Sequence, residues 1–580
     1  MSELGRGGRN GNEAKESGAY YTAAPIAAAL VEWAVPHGEA AVLDPAAGGG
    51  AFLVAAAARL RTLGARRPFV VGVEVHQDAA ADARTALADL GIPSPQVITR
   101  DFLAIEPGSL PPMDAVVGNP PFVRFQRLSP SERARARDRA ASAGVRLDPL
   151  ASSWAAFVVH AAAFLRPGGR LAMVLPSELG HARYARDVLA FLRSRFHHVR
   201  FVLFRSALFP HLDQGALLLL ADGYGRPAHT FAAALLDAPA DVAGGLSALP
   251  YRALDAEGLV SGRTKLQHAW LPDDARELLG WLRSHRNVSR LGDHARVMIG
   301  YVTGANGYFH LAPEEALDLD LAAVHLRRAL FRSRALQGLA FQEDDWRDAT
   351  ERGDAGLLFA PSDDADPAVA AYLAEGERRG LPRRAKARHR TPWYRVTRTG
   401  APDLVMTAMT ATRPRIAVND LQVAVCNTLL AVWRRSGSGS AQPRLLAAAA
   451  LSSLTELSAE LEGNALGGGL LKFDPSAAQA VLLPVPRGAG AAPDPVTWNA
   501  LDRMVRAGDA AGARAAADAT FVSGIAGVGP DGAEVLARAA DMLRALRHGG
   551  RSRRTYDAPT EDASPNASTE APDGPSEGPT

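Results

Sequence analysis

Residues 113–122 run from an apolar strand, Met-Asp-Ala-Val-Val-Gly, into the tetrapeptide Asn119-Pro120-Pro121-Phe122. Two prolines fix φ and remove two backbone donors, so the loop presents carbonyls without competing N–H groups. The Asn119 side-chain oxygen and the Pro120 carbonyl can accept both hydrogens of one exocyclic amino group. That grip drives the nitrogen lone pair out of ring conjugation and toward an electrophile. Phe122 offers a face for stacking a planar base. The plain alternative is a strand-to-helix turn with ordinary prolines, and its place after a fourth strand weighs against that.

Three acids precede the tetrapeptide, each at the tip of a predicted strand. Asp44 ends Ala41–Asp44 and opens the Gly-rich stretch Asp44-Pro45-Ala46-Ala47-Gly48-Gly49-Gly50. Gly48 and Gly50 permit a tight turn and close backbone approach to a ligand at a helix N-terminus. By itself such a turn could hold any dinucleotide or nothing, and it lacks the Gly-Lys-Ser/Thr ending of a phosphate-binding loop. Glu74, before Val75, ends the second strand and is placed to accept ribose hydroxyls, or is simply solvated. Asp101 follows the third strand beside Phe102 and offers an acceptor for an adenine amino group next to an aromatic wall. Together the three would line the carboxyl edge of one sheet, where open α/β folds bind ligands.

The elements that must position these residues alternate. Strands at 41–44, 69–75, 97–99, 113–118, 170–175, 199–204 and 216–221 are separated early on by helix-length segments at 51–63, 79–90 and 153–165. This predicts a doubly wound, mostly parallel α/β sheet closing near residue 222. Residues 1–17 read as a flexible arm, 18–225 as the sheet domain, 226–290 as a connection and 291–490 as an irregular α+β domain. Residues 491–548 read as a helical segment and 549–580, rich in Pro, Ser, Thr and acids, as a disordered tail.

In that order, the Asp44–Leu53 loop, Glu74, Asp101-Phe102 and Asn119-Pro120-Pro121-Phe122 resemble the S-adenosylmethionine-dependent amino-methyltransferases of DNA. The Asn-Pro-Pro-Phe signature implies N6 of adenine as target, and the fold is then a Rossmann-like class I methyltransferase domain. Gly18-Ala19-Tyr20-Tyr21-Thr22 resembles the family's first cofactor motif, which implies Tyr21 and Thr22 at the cofactor's methionine end; Ala23 stands where members usually have Pro. This motif order is that of the γ class and implies a C-terminal target-recognition domain. The resemblance further implies cofactor contacts from Asp44, Pro45, Ala46, Gly48, Gly50, Glu74, Val75, Asp101, Phe102, Asn119 and Phe157, and an adenine clamped between Phe122 and Phe209. In the distal half, Ile299–Phe309, Thr391-Pro392-Trp393-Tyr394, Gly467–Phe473 and Leu483–Pro486 resemble recurring recognition-domain segments.

A duplex adenine is paired and stacked, so its amino group is reached only by rotating the base out. Such an enzyme needs no covalent nucleophile, which agrees with Cys426 being the single cysteine, set in Val425-Cys426-Asn427 and read as a small buried hydrophobe. One thiol also excludes a disulfide framework, a cysteine-ligated zinc site and an iron–sulfur cluster, and no metal is expected. The formal net charge of +2 conceals an uneven spread: residues 555–580 hold six acids and no base, leaving a net +8 elsewhere. Lysine occurs only at 15, 265, 386 and 472, so arginine supplies nearly all the cations. Two Arg-rich runs could track phosphates: Arg124, Arg127 and Arg133 to Arg139 after the tetrapeptide, and Arg378 to Arg390 with Arg383, Arg384, Lys386 and Arg388 ahead of Trp393. A solvated face, with Trp393 packed as core, is the alternative for either.

The expectation is therefore a cytoplasmic, monomeric enzyme acting on double-stranded DNA, the modification part of a restriction-modification system, with any cleavage supplied by a separate endonuclease. Asn-Pro-Pro-aromatic enzymes that methylate RNA or a protein glutamine, and a silent DNA-binding protein on the same fold, are the alternatives. The long segment after the sheet and the intact tetrapeptide weigh against them.

Overall fold

The computed structural model describes residues 22–548 except 93–95, 207, 210–214, 229–230, 363, 436–439, 467–468 and 488–491. Tyr21, the arm at 1–17 and the tail at 549–580 lie outside the described residues. Helix α1 (Ala24–Ala34) leads into β1 (Ala41–Asp44), α2 (Ala51–Thr62), β2 (Phe69–Glu74), α3 (Gln77–Asp89), β3 (Gln96–Thr99) and β4 (Met113–Gly118). Then come α4 (Pro130–Ser142), α5 (Ser153–Ala162), β5 (Leu165–Pro176), α6 (Ala185–Arg195), β6 (His198–Phe204) and β7 (Ala216–Asp222).

The sheet does not end near residue 222. Strands β8 (Phe231–Leu236) and β9 (Arg252–Leu254) extend it to nine, in the order β3-β2-β1-β4-β5-β7-β6-β8-β9, so the expected boundary at 225 falls within the sheet. Strands β1 to β5 pair in parallel, β7 is antiparallel to both β5 and β6, and β8 returns parallel to β6. Side chains alternate across the pleat as period two demands. Leu43 joins a core with Phe102, Trp154 and Phe157 on one face; Val42 joins another with Leu30, Phe52 and Leu53 on the opposite face. Gly72 in β2 lets α2 sit close, because a Cβ there would stand 2.5 Å from Leu53 Cδ1.

Strand order reverses direction between β1 and β4, so a crevice opens at their carboxyl ends. That topological switch point sets Asp44 and Asn119 at the ends of adjacent strands.

The distal half is α+β, as expected, but built from short strands joined across long sequence separations. Strands β10 (Ser289–Arg290), β11 (Ala295–Ile299), β12 (His310–Leu311), β13 (Leu326–Leu330), β14 (Ala355–Phe359), β15 (Leu404–Thr407), β16 (Met409–Thr410), β17 (Ile416–Val418), β18 (Ala424–Val425) and β19 (Leu429–Arg434) form part of it. Two four-stranded sheets result, β11-β19-β15-β17 and β12-β14-β13-β18. The main helices here are α7 (Asp273–Leu282), α8 (Pro367–Arg378), α9 (Ser453–Glu462), α10 (Pro495–Arg506) and α11 (Gly529–Arg547). The C-terminal helices pack onto the distal half: α11 lies along α9, and Leu536, Ala540 and Leu543 share its core with Leu454, Leu457 and Leu461. Lys265 links the two halves, its Nζ donating to the Gly463 carbonyl at 3.3 Å and to Asn464 Oδ1 at 3.2 Å.

Candidate active site at the carboxyl edge of the sheet

The Gly-rich turn after β1 is held through its backbone N–H groups. Ala46 N–H donates to Asp44 Oδ1 at 3.0 Å, Ala47 N–H to the Val73 carbonyl at 2.9 Å and Gly50 N–H to the Ala47 carbonyl at 2.8 Å. Gly48 at φ +50° and Gly50 at φ +89° occupy the left-handed region, where a side chain is strained. Nothing stands within 4 Å of where a Cβ on Gly48 would project, whereas one on Gly50 would meet Ala83 of α3 at 3.0 Å. Gly48 therefore leaves open space over the turn, and Gly50 packs the turn onto its neighbour.

The acids occupy the predicted strand tips. Glu74 is 8% exposed and accepts from Gly48 N–H at 2.9 Å and from His76 N–H at 2.8 Å, so it braces the turn it faces. Val75, beside it, is exposed. Asp44 is fully buried, and burial, opposed by the Ala46 N–H and reinforced by the Glu74 charge, pushes its carboxyl up to about 8. Its Oδ2 and the Oγ1 of Thr22 are both buried without a hydrogen-bond partner among the described residues. Orphaned buried acceptors cost stability unless a ligand satisfies them. Their chemistry suits a ligand that brings an amino group, as the methionine end of the expected cofactor does.

Asp101 differs from the open acceptor that its sequence position suggests. Its Oδ1 accepts from Leu103 N–H at 2.9 Å, and its Oδ2 is ion-paired with Arg135 of α4. Phe102 is not a free wall either: it is 2% exposed and packs against Phe157 at 5.5 Å, His160 at 4.9 Å and Phe164 at 5.3 Å between ring centres. Phe157, 8% exposed, belongs to the same aromatic group. Burial brings the His160 imidazole down to about 4, and its Nε2 lies 2.9 Å from the Ile105 carbonyl, so it is a neutral core residue.

The tetrapeptide follows β4 directly. Asn119 is half-buried, Pro120 buried, and Pro121 and Phe122 half-buried. Phe122 packs against the core on the Leu43 face of the sheet, and Phe209, after β6, against the core on the Val42 face. The two rings therefore approach the sheet edge from opposite sides.

The first Arg-rich run is largely spoken for. Beyond the Arg135 pair, Arg139 donates to the Leu103 carbonyl at 2.8 Å and to Glu106 Oε2 at 2.8 Å, and the Arg137 guanidinium lies 6.0 Å from the Phe125 ring centre. Arg124 and Arg127 remain exposed next to the tetrapeptide. In the second run, Arg378 and Arg379 pair with Glu375, and Arg390 donates to the Val302 and Thr303 carbonyls. Arg383, Arg384, Lys386 and Arg388 are exposed. Trp393 is half-buried against Tyr308 and Phe309, and Gly376 makes room for it, since a Cβ there would stand 2.6 Å from Trp393 Cη2.

Sequence reading did not find that two of its distal segments meet. Lys386 packs on Gly304 (φ +82°), and Tyr308 stacks on Tyr372 of α8 at 4.5 Å, so the Ile299–Phe309 segment and the Arg383–Trp393 run form one surface. Of the Gly467–Phe473 segment, Gly467 and Gly468 lie outside the described residues, and the Gly469 carbonyl accepts from Arg547 of α11. Cys426 is buried, as expected, with Sγ 3.0 Å from the Phe331 carbonyl, and burial raises its thiol. Among the described residues no group of three or more His, Cys, Asp or Glu could hold a metal, and no helix is long and apolar enough to cross a membrane.

The N-6 DNA Methylase family model matches residues 9–181, and the family model of the Type II methyltransferase M.Eco57I, C-terminal domain, matches residues 263–522. The chain is similar to the Type II methyltransferase M.XamI of Xanthomonas campestris pv. amaranthicola. They are 25% identical over 515 residues, covering 82% of this chain and 86% of that protein. Among solved structures it is similar to the Type IIL restriction-modification enzyme MmeI in complex with DNA, with TM-score 0.50 and 13% identity over 91% of this chain and 71% of that one. A match to the type IIG restriction endonuclease BpuSI has TM-score 0.41 and 15% identity; it covers 90% of this chain but 64% of that one, under two thirds of its length.

Proposed function

We propose how this chain, an N6-adenine DNA methyltransferase of the restriction-modification type, carries out its reaction: it takes S-adenosylmethionine into the crevice between β1 and β4 and methylates an adenine rotated out of double-stranded DNA. The observation that carries this reading is the meeting, at one topological switch point, of the Asn119–Phe122 loop with the buried, unsatisfied carboxylate oxygen of Asp44.

When bound, S-adenosylmethionine supplies a methyl group made electrophilic by its sulfonium. Asp44 and Thr22 would hold the methionine end, the Gly48 turn would admit its backbone-close portion, and Glu74 would accept from the ribose. The Asn119 side-chain oxygen and the Pro120 carbonyl would take the two amino hydrogens of the target adenine and hold its nitrogen lone pair in line. Phe122 and Phe209, coming from opposite faces, would clamp the base and replace its stacking in the duplex at ~1–3 kcal/mol per base. Positioning then supplies most of the rate. After transfer, the proton displaced from the amino nitrogen passes from the Asn119 and Pro120 oxygens to water.

The exposed face formed by Arg383, Arg384, Lys386 and Arg388 would track phosphates. Arg124 and Arg127 would do so beside the base pocket, with Trp393 supporting the face from behind. The enzyme would work as a monomer, with cleavage supplied by a separate cognate endonuclease. Transfer of a radiolabelled methyl group to unmethylated plasmid, with RNA and protein controls, tests the reading, and methylation-aware sequencing then gives the word. An Asn119→Ala variant that still methylates would overturn the mechanism.

A further inference from the structure

Helix α5 begins with Ser152 at its N-cap and Ser153 at its first turn, and serines there ordinarily cap the helix. Here the N-cap side chain caps nothing. Ser152 Oγ donates instead to the Val123 carbonyl at 3.2 Å, and Ser153 N–H donates to the same carbonyl at 2.8 Å. The Ser153 hydroxyl does more: it donates to the Pro121 carbonyl while accepting from Val123 N–H at 3.0 Å. One hydroxyl thus bridges the groups on either side of Phe122, closing a small ring that contains it.

The bridge is rigid. Ser153 is 4% exposed, and Arg124 pairs with Ser152 as an isolated β-bridge just beyond it. The next residue, Trp154, is fully buried, and its indole N–H is shared between Glu178 Oε1 at 2.9 Å and the Tyr184 hydroxyl at 3.0 Å. The first turn of α5 is therefore anchored in the core from one side and holds the tetrapeptide from the other. Two prolines remove the loop's own donors, so its carbonyls need an outside partner to fix their direction. Ser153 provides it.

We infer that Ser153 is a positioning residue for methyl transfer, acting through the Pro121 carbonyl and the Phe122 backbone rather than touching either substrate. The inference rests on the function proposed above. Removing the bridge frees the Pro121 carbonyl and the Phe122 backbone, and with them the stacking ring and the peptide next to the base-holding Pro120 carbonyl. Binding of cofactor and of the phosphate backbone, which use other residues, is retained.

The test is single-turnover methylation by the full chain on a duplex carrying the word that the wild-type enzyme modifies, alongside cofactor and duplex binding. Ser153→Thr and Ser153→Val share a shape and differ in the hydroxyl. The valine and alanine variants should methylate on the order of 10–100-fold more slowly at saturating substrates, a cost typical of an ångström-scale misplacement. Their affinities for cofactor and duplex should stay within about twofold, and threonine should recover most of the rate that valine forfeits. Equal rates in threonine and valine variants that both bind normally, or a valine variant as fast as wild type, would overturn the inference. Absence of methylation by the wild-type enzyme would instead overturn the function proposed above. Should valine or threonine unfold the chain, Ser153→Ala, which only removes an atom, gives the reading alone.

Discussion

Gly118, the last residue of β4, stands so close to Asp44 at the end of β1 that a Cβ on Gly118 would lie 2.7 Å from Asp44 Oδ1 and 3.3 Å from Pro45 Cδ. The glycine before the tetrapeptide is thus required by the acid on the adjacent strand. Asp44 has no room to yield, being fully buried with Oδ1 held by Ala46 N–H. Gly118→Ala should turn the carboxylate out of place, weaken cofactor binding at least tenfold and cost roughly 1–3 kcal/mol of stability through overpacking. Isothermal titration with S-adenosylmethionine and thermal unfolding check both parts, and wild-type affinity in the variant would refute the first.

The same buried carboxyl predicts a pH dependence. Its proton leaves near pH 8 in the ligand-free protein, far above the ordinary value of 3.8. A cationic amino group binds the carboxylate, so affinity should rise about tenfold per pH unit from 6 toward 8 and level off above, with about one proton released per ligand bound at pH 7. Titration in buffers of different ionisation enthalpy measures that proton. For folding the sign is opposite. The folded state holds this proton between pH 4 and 8 while the unfolded state has released it, so this group's contribution to stability declines across that window. Asp44→Asn should abolish both trends.

Much of the catalytic half was legible because its strands are short, apolar and bounded by Gly or by acids at their tips. Asp44, Glu74 and Asp101 announced one sheet edge through their common place at or just past the ends of three successive strands. Strand β8 was missed because Phe-Ala-Ala-Ala-Leu-Leu carries as much helical as strand propensity, and only pairing with β6 decides it. Strand β5 starts five residues before the expected Arg170, since Pro167-Gly168-Gly169 reads as a turn yet sits within the strand. The engagement of Asp101 by Arg135 was equally hidden, because a charge run does not disclose which of its members face inward. In the distal half, Ala295 pairs with Arg434, and no local periodicity reveals a partner so far along the chain. Ser153 was legible only as a helix start; its tie to a loop about thirty residues earlier is a property of the fold.

The basic face offers a quantitative test. Arg383, Arg384 and Arg388 are exposed, Arg388 donating only to its neighbour His389 at 3.2 Å, whereas Arg378 and Arg379 pair with Glu375 and Arg390 donates to backbone carbonyls. Alanine at the three exposed positions should weaken duplex binding and lower the slope of log affinity against log salt by up to about 3, near 0.9 for each phosphate no longer neutralised. Fluorescence anisotropy across a salt series reads this directly. The methylation rate at saturating DNA should hold, and an unchanged slope would remove the face from the DNA-binding surface.

The side chain of Arg547, near the end of α11, is 3% exposed and makes a two-pronged ion pair with the equally buried side chain of Glu460 of α9, at 3.0 and 2.9 Å. It also donates to the carbonyls of Ala411 at 3.1 Å, Thr412 at 3.2 Å and Gly469. One guanidinium therefore ties the last helix to the loop after β16 and to the Gly-rich segment. Removing one partner of a buried pair strips the other of its two-pronged partner, and Arg544 Nε, 3.4 Å from Glu460 Oε1, compensates only part of that charge. Arg547→Ala should destabilise the distal half by about 3–5 kcal/mol. The catalytic sheet takes no part in these bonds, so hydrogen exchange should rise in residues 405–475 and 529–548 while β1 to β4 stay protected. Uniform exchange across both halves would show that the chain unfolds as one unit and that α11 is no separate lock on the distal half.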